Sequence, residues 1–160
     1  MKKYSQIVSL SIFNSVLIVS ALIILTFFLS FKTEENSKLS LICNTTGAPD
    51  TLSSVEMKSI LKGEKQRWQD GSKIVLAMIK TNTETGETIA KKVYNMNGDE
   101  LNKYWLSLVF AGKAKAPQFF RSEQELIDYV ASTKGAIGVI TSEKVQGNFK
   151  TIKVGGKNSF

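Results

Sequence analysis

The 160-residue chain has room for one ordinary domain, and 42% hydrophobic residues are enough for a packed core. With no His and one Cys it lacks the usual general base, the commonest metal ligand and any internal disulfide. The formal charge of +7 shrinks to 18 basic against 14 acidic residues once three of the 21 basic ones, Lys2, Lys3 and Lys32, are set aside as flanks of an apolar run; no basic run interleaves with stacking aromatics, so nucleic acid is not an expected partner. The remaining mild positive field suits small anions or an anionic lipid surface.

Residues 4–31 form an uncharged run whose later half, "VLIVSALIILTFFL", is almost entirely aliphatic and aromatic. It exceeds the roughly 20 residues that cross a bilayer. The run ends in "FFLSFKTEE", with bulky side chains where a cleavage site needs small ones, which favours an uncleaved signal anchor over a signal peptide for residues 1–32. Lys2 and Lys3 should stay in the cytoplasm. The rest of the chain is then exported, either held at the inner membrane with its domain in the periplasm or extracytoplasmic space, or secreted to the periplasm if the segment is cleaved. Residues 33–38 read as a polar tether, 39–154 as the domain and 155–160 as a C-terminal tail.

"LSLICN" (39–44) has the length and apolarity of a strand, and Cys43 reads as a small buried residue within it. Ser53 and Glu56 have capping-box spacing and open a helix predicted to turn Val55, Ile60 and Leu61 inward and to stop at Gly63. In "RWQDGSK", Asp70-Gly71 marks a turn. Trp68 either covers the end of the core or, beside Arg67, offers a platform to a ligand. The apolar run "KIVLAMIK" (73–80) reads as a strand buried on both faces. It breaks into "TNTETG" and re-emerges as a helix, which is how a chain builds an anion cradle, but with Glu84 and Glu87 inside the turn the stretch reads at least as well as a helix cap.

Asn97 and Glu100 repeat the capping spacing before a helix with Leu101, Tyr104, Trp105, Leu108 and Val109 on its inner stripe; Ser122 and Glu125 do so before one with Leu126, Tyr129 and Val130. "AIGVI" (136–140) and the alternating "FKTIKV" (149–154) are further strands. Strands separated by helices predict an α/β fold with a mixed sheet flanked by helices. The carboxylate pairs Glu84/Glu87 and Glu123/Glu125 flank helix starts, where they complement the dipole. Without His, and with Cys43 lacking a partner base, no catalytic residue, metal site or cofactor is expected, and the protein does not read as an enzyme.

Three segments taken together, "ILKGEKQRWQDGSKIVL", "VYNMNGDELNKYWLSLVFAGKAKAPQFF" and "ELIDYVASTKGAIGVI", resemble the small phosphate-transporter-type substrate-binding-like proteins, a branch of the type II periplasmic binding protein superfamily. The resemblance runs from about Leu39 to Val154. It implies a single periplasmic-binding-protein-like lobe following the N-terminal transmembrane or signal helix. In the two-lobed relatives the strand matching 73–80 leads into a Ser-Gly-Thr turn that holds the anion at a helix N-terminus. By that resemblance the ligand-binding residues are Thr81, Asn82, Thr83, Thr85 and Gly86. The implied function is an extracytoplasmic, membrane-tethered binding module that takes phosphate or a similar small oxyanion for a transport or sensing system, with a transporter or envelope protein as partner. The other reading is a non-catalytic interaction module that keeps the fold without a ligand.

Overall fold

Alternation of apolar strands with capped helices produces a six-stranded sheet covered on both faces. The computed structural model describes residues 38–141 and 147–160; the signal-anchor segment (1–32) and nearly all of the tether (33–38) lie outside them. Among the described residues no helix is long and apolar enough to cross a membrane. In chain order the elements are β1 (Ser40–Asn44), β2 (Thr51–Leu52), α1 (Ser54–Leu61), β3 (Val75–Ile79), α2 (Glu84–Ile89) with its π-helical continuation (Ala90–Tyr94), α3 (Gly98–Phe110), β4 (Gln118–Phe120), α4 (Glu123–Ser132), β5 (Ala136–Ile140) and β6 (Phe149–Val154).

The sheet order is β2-β6-β1-β5-β3-β4. Strands β5, β3 and β4 run parallel, and β1 lies antiparallel between β5 and β6. Register assigns the faces. Ile42 and Ala77 both pair with Gly138, and a Cβ at Gly138 would meet Leu126 of α4, so α4 covers the face that these residues share. Asn44, two residues on from Ile42, donates through Nδ2 to the carbonyls of Val130 and Ala131 at 3.0 and 2.9 Å and so ties β1 to the end of α4. On the opposite face the Tyr94 hydroxyl lies 3.8 Å from Met78 Sδ and donates to Leu61 O at 2.9 Å, linking β3, the π-helical turn and α1.

Local capping explains the helix starts. Ser53 with Glu56 and Asn97 with Glu100 form complete capping boxes, whereas Ser122 accepts from the Glu125 amide while Glu125 returns to Arg121 N. The inward stripe of α1 is Met57, Ile60 and Leu61; Val55 is 77% exposed, a correction to the predicted stripe. Its reason is angular. Val55 stands two residues before Met57, about 200° around the helix, so it cannot share that face. Val109 is likewise exposed at the last turn of α3, while Leu101 and Trp105 are buried.

Trp68 is buried and its indole N–H donates to Gly135 O at 3.1 Å, which makes it a lid on the core between the 62–74 loop and the start of β5 rather than a ligand platform. Cys43 is fully buried, and burial pushes its thiol up to about 12, with Lys150 opposing and Asp50 adding a little. The two short strands β2 and β4 were not predicted. Residues 155–160 fold back so that Leu39 and Phe160 exchange backbone hydrogen bonds of 3.0 and 2.9 Å, joining the two ends of the domain.

Candidate functional site

Parallel strands leave their carboxyl ends together at one edge of the sheet, where helix N-termini also gather. Here Lys80 follows β3, Arg121 follows β4 and Thr141 follows β5. The Thr81–Gly86 turn belongs to this mouth. Thr81 is buried, and its Oγ1 accepts from Asn102 Nδ2 at 2.8 Å, which ties the turn to α3. Asn82 is exposed and Thr85 half-buried.

Thr83 is the N-cap of α2. Its hydroxyl donates to Lys80 O at 2.8 Å and accepts from Gly86 N at 3.0 Å, while its carbonyl accepts from Glu87 N at 2.9 Å. The same group therefore closes the turn and starts the helix. Gly86 is required sterically, because a Cβ there would overlap the Lys80 carbonyl. By helical geometry the Glu84 and Thr85 amides have no carbonyl partner within α2 and face outward from its first turn.

The neighbouring helix starts meet the chain's own carboxylates. Glu87 reaches across to the first amide of α3, accepting from Gly98 N at 2.8 Å, and its other oxygen lies 3.8 Å from Lys91 Nζ. Glu123 at the start of α4 accepts from both the amide and the hydroxyl of Thr141, the latter at 2.7 Å. Three of the donor groups that an anion would use are thus already bonded to carboxylates. Among the described residues no group of three or more His, Cys, Asp and Glu side chains could hold a metal ion.

The structure brings Thr81, Thr83 and Gly86 into one tight turn and leaves Asn82 and Thr85 at its surface. Sequence reasoning passed over Lys80, Arg121 and Thr141. The signal that finds them is positional, since each is the first residue after a parallel strand.

No protein-family model matches the chain, and no curated protein matches it. Among solved structures it is similar to an ABC-type phosphate transport receptor from Vibrio cholerae, with a TM-score of 0.59 at 16% identity over 77% of this chain and 48% of that one. A phosphate ABC transporter substrate-binding protein with bound phosphate from Clostridium perfringens gives 0.58 at 18% identity over 75% and 46%. PstS from Borrelia burgdorferi gives 0.56 at 18% over 75% and 48%. The likeness shows the fold: the described domain is a periplasmic-binding-protein-like α/β lobe, and the chain spans about half the length of each of these structures.

Proposed function

We propose that this protein is an exported, membrane-tethered binding module that takes a small oxyanion, phosphate first among candidates, at the Thr81–Gly86 turn for a transport or sensing system. The observation that carries this reading is the turn's position at the carboxyl ends of three parallel strands, on a lobe whose fold recurs in phosphate-binding structures. The open amides of Glu84 and Thr85 would supply the donors, with the Thr85 hydroxyl beside them and Lys80 adding charge. A single lobe leaves its ligand solvated on one side, so binding should be weak unless a partner closes over it. The apolar run at residues 4–31 would hold the module at the membrane.

A second reading is favoured by a specific observation. Glu87 and Glu123 bond the Gly98 and Thr141 amides, which suits a mouth that serves as a protein contact and holds no ligand. Calorimetric titration of the full chain in neutral detergent with phosphate and sulfate separates the two. Saturable heat that Thr85→Val and Lys80→Gln both diminish supports oxyanion binding. No heat at millimolar anion overturns it and leaves the interaction module.

A further inference from the structure

At the amino end of β3, four residues or about 13 Å from the mouth at strand rise, a cavity of about 160 Å³ opens between the end of α1, the 63–67 loop, the start of β3 and the 114–115 loop. Its walls are Ile60, Ile74, Leu76, Ala114 and the indole of Trp105. Its rim carries Lys65, Arg67, Lys73 and Lys115.

The charges at the rim do not balance. Glu56 is its one paired carboxylate among the described residues; it sits 3.2 Å from Lys65 Nζ and also accepts from the Ser53 amide and hydroxyl. Glu64, exposed beside Lys65, and Asp70, which accepts from Ser72 in the turn joining Arg67 to Lys73, are the other acids of these loops, against four cations. Arg67 uses one Nη on Gly71 O at 2.7 Å, which leaves the rest of its five-donor guanidinium for a ligand. Lys73 and Lys115 are exposed. The Trp105 indole N–H makes no regular hydrogen bond among the described residues; it stands near the Tyr94 hydroxyl, where its weak interaction opposes the burial that raises that phenol, while the ring's six-membered edge faces Gly63 beside the cavity.

An apolar chamber under a cationic rim selects a ligand with both characters. A closed cavity of roughly 150 Å³ in another protein takes up benzene, so this half-open pocket has room for one aromatic ring or a short branched chain, with the polar end left at the rim. We propose that this basal cavity binds a small carboxylate with an apolar body of that size, its ring or chain against Trp105 and Leu76 and its carboxylate at the rim with Arg67 and Lys73. The proposal stands apart from the oxyanion reading of the mouth, since no residue is shared.

The test uses the full chain in neutral detergent with benzoate as probe, read by the two Trp indole N–H resonances. The expected result is a saturable shift of the Trp105 resonance with Trp68 unmoved, and affinity several-fold tighter than for benzyl alcohol, each of the two exposed ion pairs supplying up to about fivefold. Phosphate, which has charge and no apolar body, should leave Trp105 unmoved. Ala114→Leu should fill the chamber and abolish the shift. Arg67→Gln and Lys73→Gln, which leave the walls intact and keep the test valid if the Leu variant misfolds, should each weaken benzoate by about three- to fivefold without affecting benzyl alcohol. Equal responses to benzoate and phosphate, equal responses to benzoate and benzyl alcohol, or no response to benzoate each overturn the proposal.

Discussion

The two ends of β3 are built on opposite electrostatic plans. At its carboxyl end the first amide of α3 and the amide of Thr141 are bonded to Glu87 and Glu123, so the mouth has filled part of its own donor set and leaves the first amides of α2 open. At its amino end Lys65, Arg67, Lys73 and Lys115 surround an apolar chamber with one paired carboxylate among them. A fold that places helix N-termini at a sheet edge makes anion binding possible there, but occupancy depends on what the chain has itself put in front of them. The contrast teaches that the expected site of a fold and the least compensated site of a molecule need not coincide.

The largest expected effect breaks the basal end. Trp105 is 4% exposed and packs edge-on with Tyr104 at a ring separation of 5.7 Å, so Trp105→Ala should cost about 3–5 kcal/mol in chemical denaturation. A loss below about 1 kcal/mol would mean that α3 is not seated as described. Next comes Gly86→Ala, which breaks the mouth alone. The added methyl must displace the Lys80 carbonyl, so the expected loss is roughly 3 kcal/mol, at the upper end for overpacking, with the benzoate response at the basal cavity retained. Loss of both sites together would show that the ends of β3 are coupled through the strand.

How much of this was legible follows from the range of each interaction. The capping boxes at Ser53 and Asn97 lie within four residues, and they marked the helices correctly. Strands β1, β3 and β5 announced themselves by apolar runs and β6 by alternation. Strand β2 has two residues and exists because Thr51 and Leu52 pair with Lys153 and Val154, a contact that no local pattern carries. Strand β4 hides in "PQFF" after a loop and forms only against β3. Glu87 stands in the first turn of α2, where the sequence placed it, and its Oε2 also serves Gly98, eleven residues on, which no local pattern announces. The basal cavity draws its walls from α1, β3, α3 and the loop after it, so it has no signature in any one stretch.

Glu87 offers a smaller and more selective change. Glu87→Ala removes the acceptor for the first amide of α3 and the 3.8 Å ion pair with Lys91. The expected cost is about 1 kcal/mol, the scale of a lost N-cap, read as a lowered denaturation midpoint with an unchanged slope. Glu87→Gln keeps an acceptor and should recover most of it. If Ala and Gln behave alike, charge and not hydrogen bonding is what Glu87 contributes.

The smallest expected change in stability carries the most information about function. Glu84 opens α2 and its side chain is exposed, so Glu84→Gln should remove only a few tenths of a kcal/mol of dipole complementation. Its carboxylate nevertheless stands in the same first turn as the amides of Glu84 and Thr85, and a phosphate held there would feel like-charge repulsion that falls with added salt. If the mouth takes an oxyanion, Glu84→Gln should tighten phosphate binding by about three- to fivefold at low ionic strength, the worth of one exposed charge contact, and the gain should shrink as salt is raised. If the turn serves only to cap α2, the substitution should change stability slightly and leave the phosphate titration flat at every salt concentration. A gain that does not vary with salt would point away from the charge of Glu84 and toward a rearranged turn, and a repeat with Thr85→Val in the same background would then show whether the α2 amides hold the anion at all.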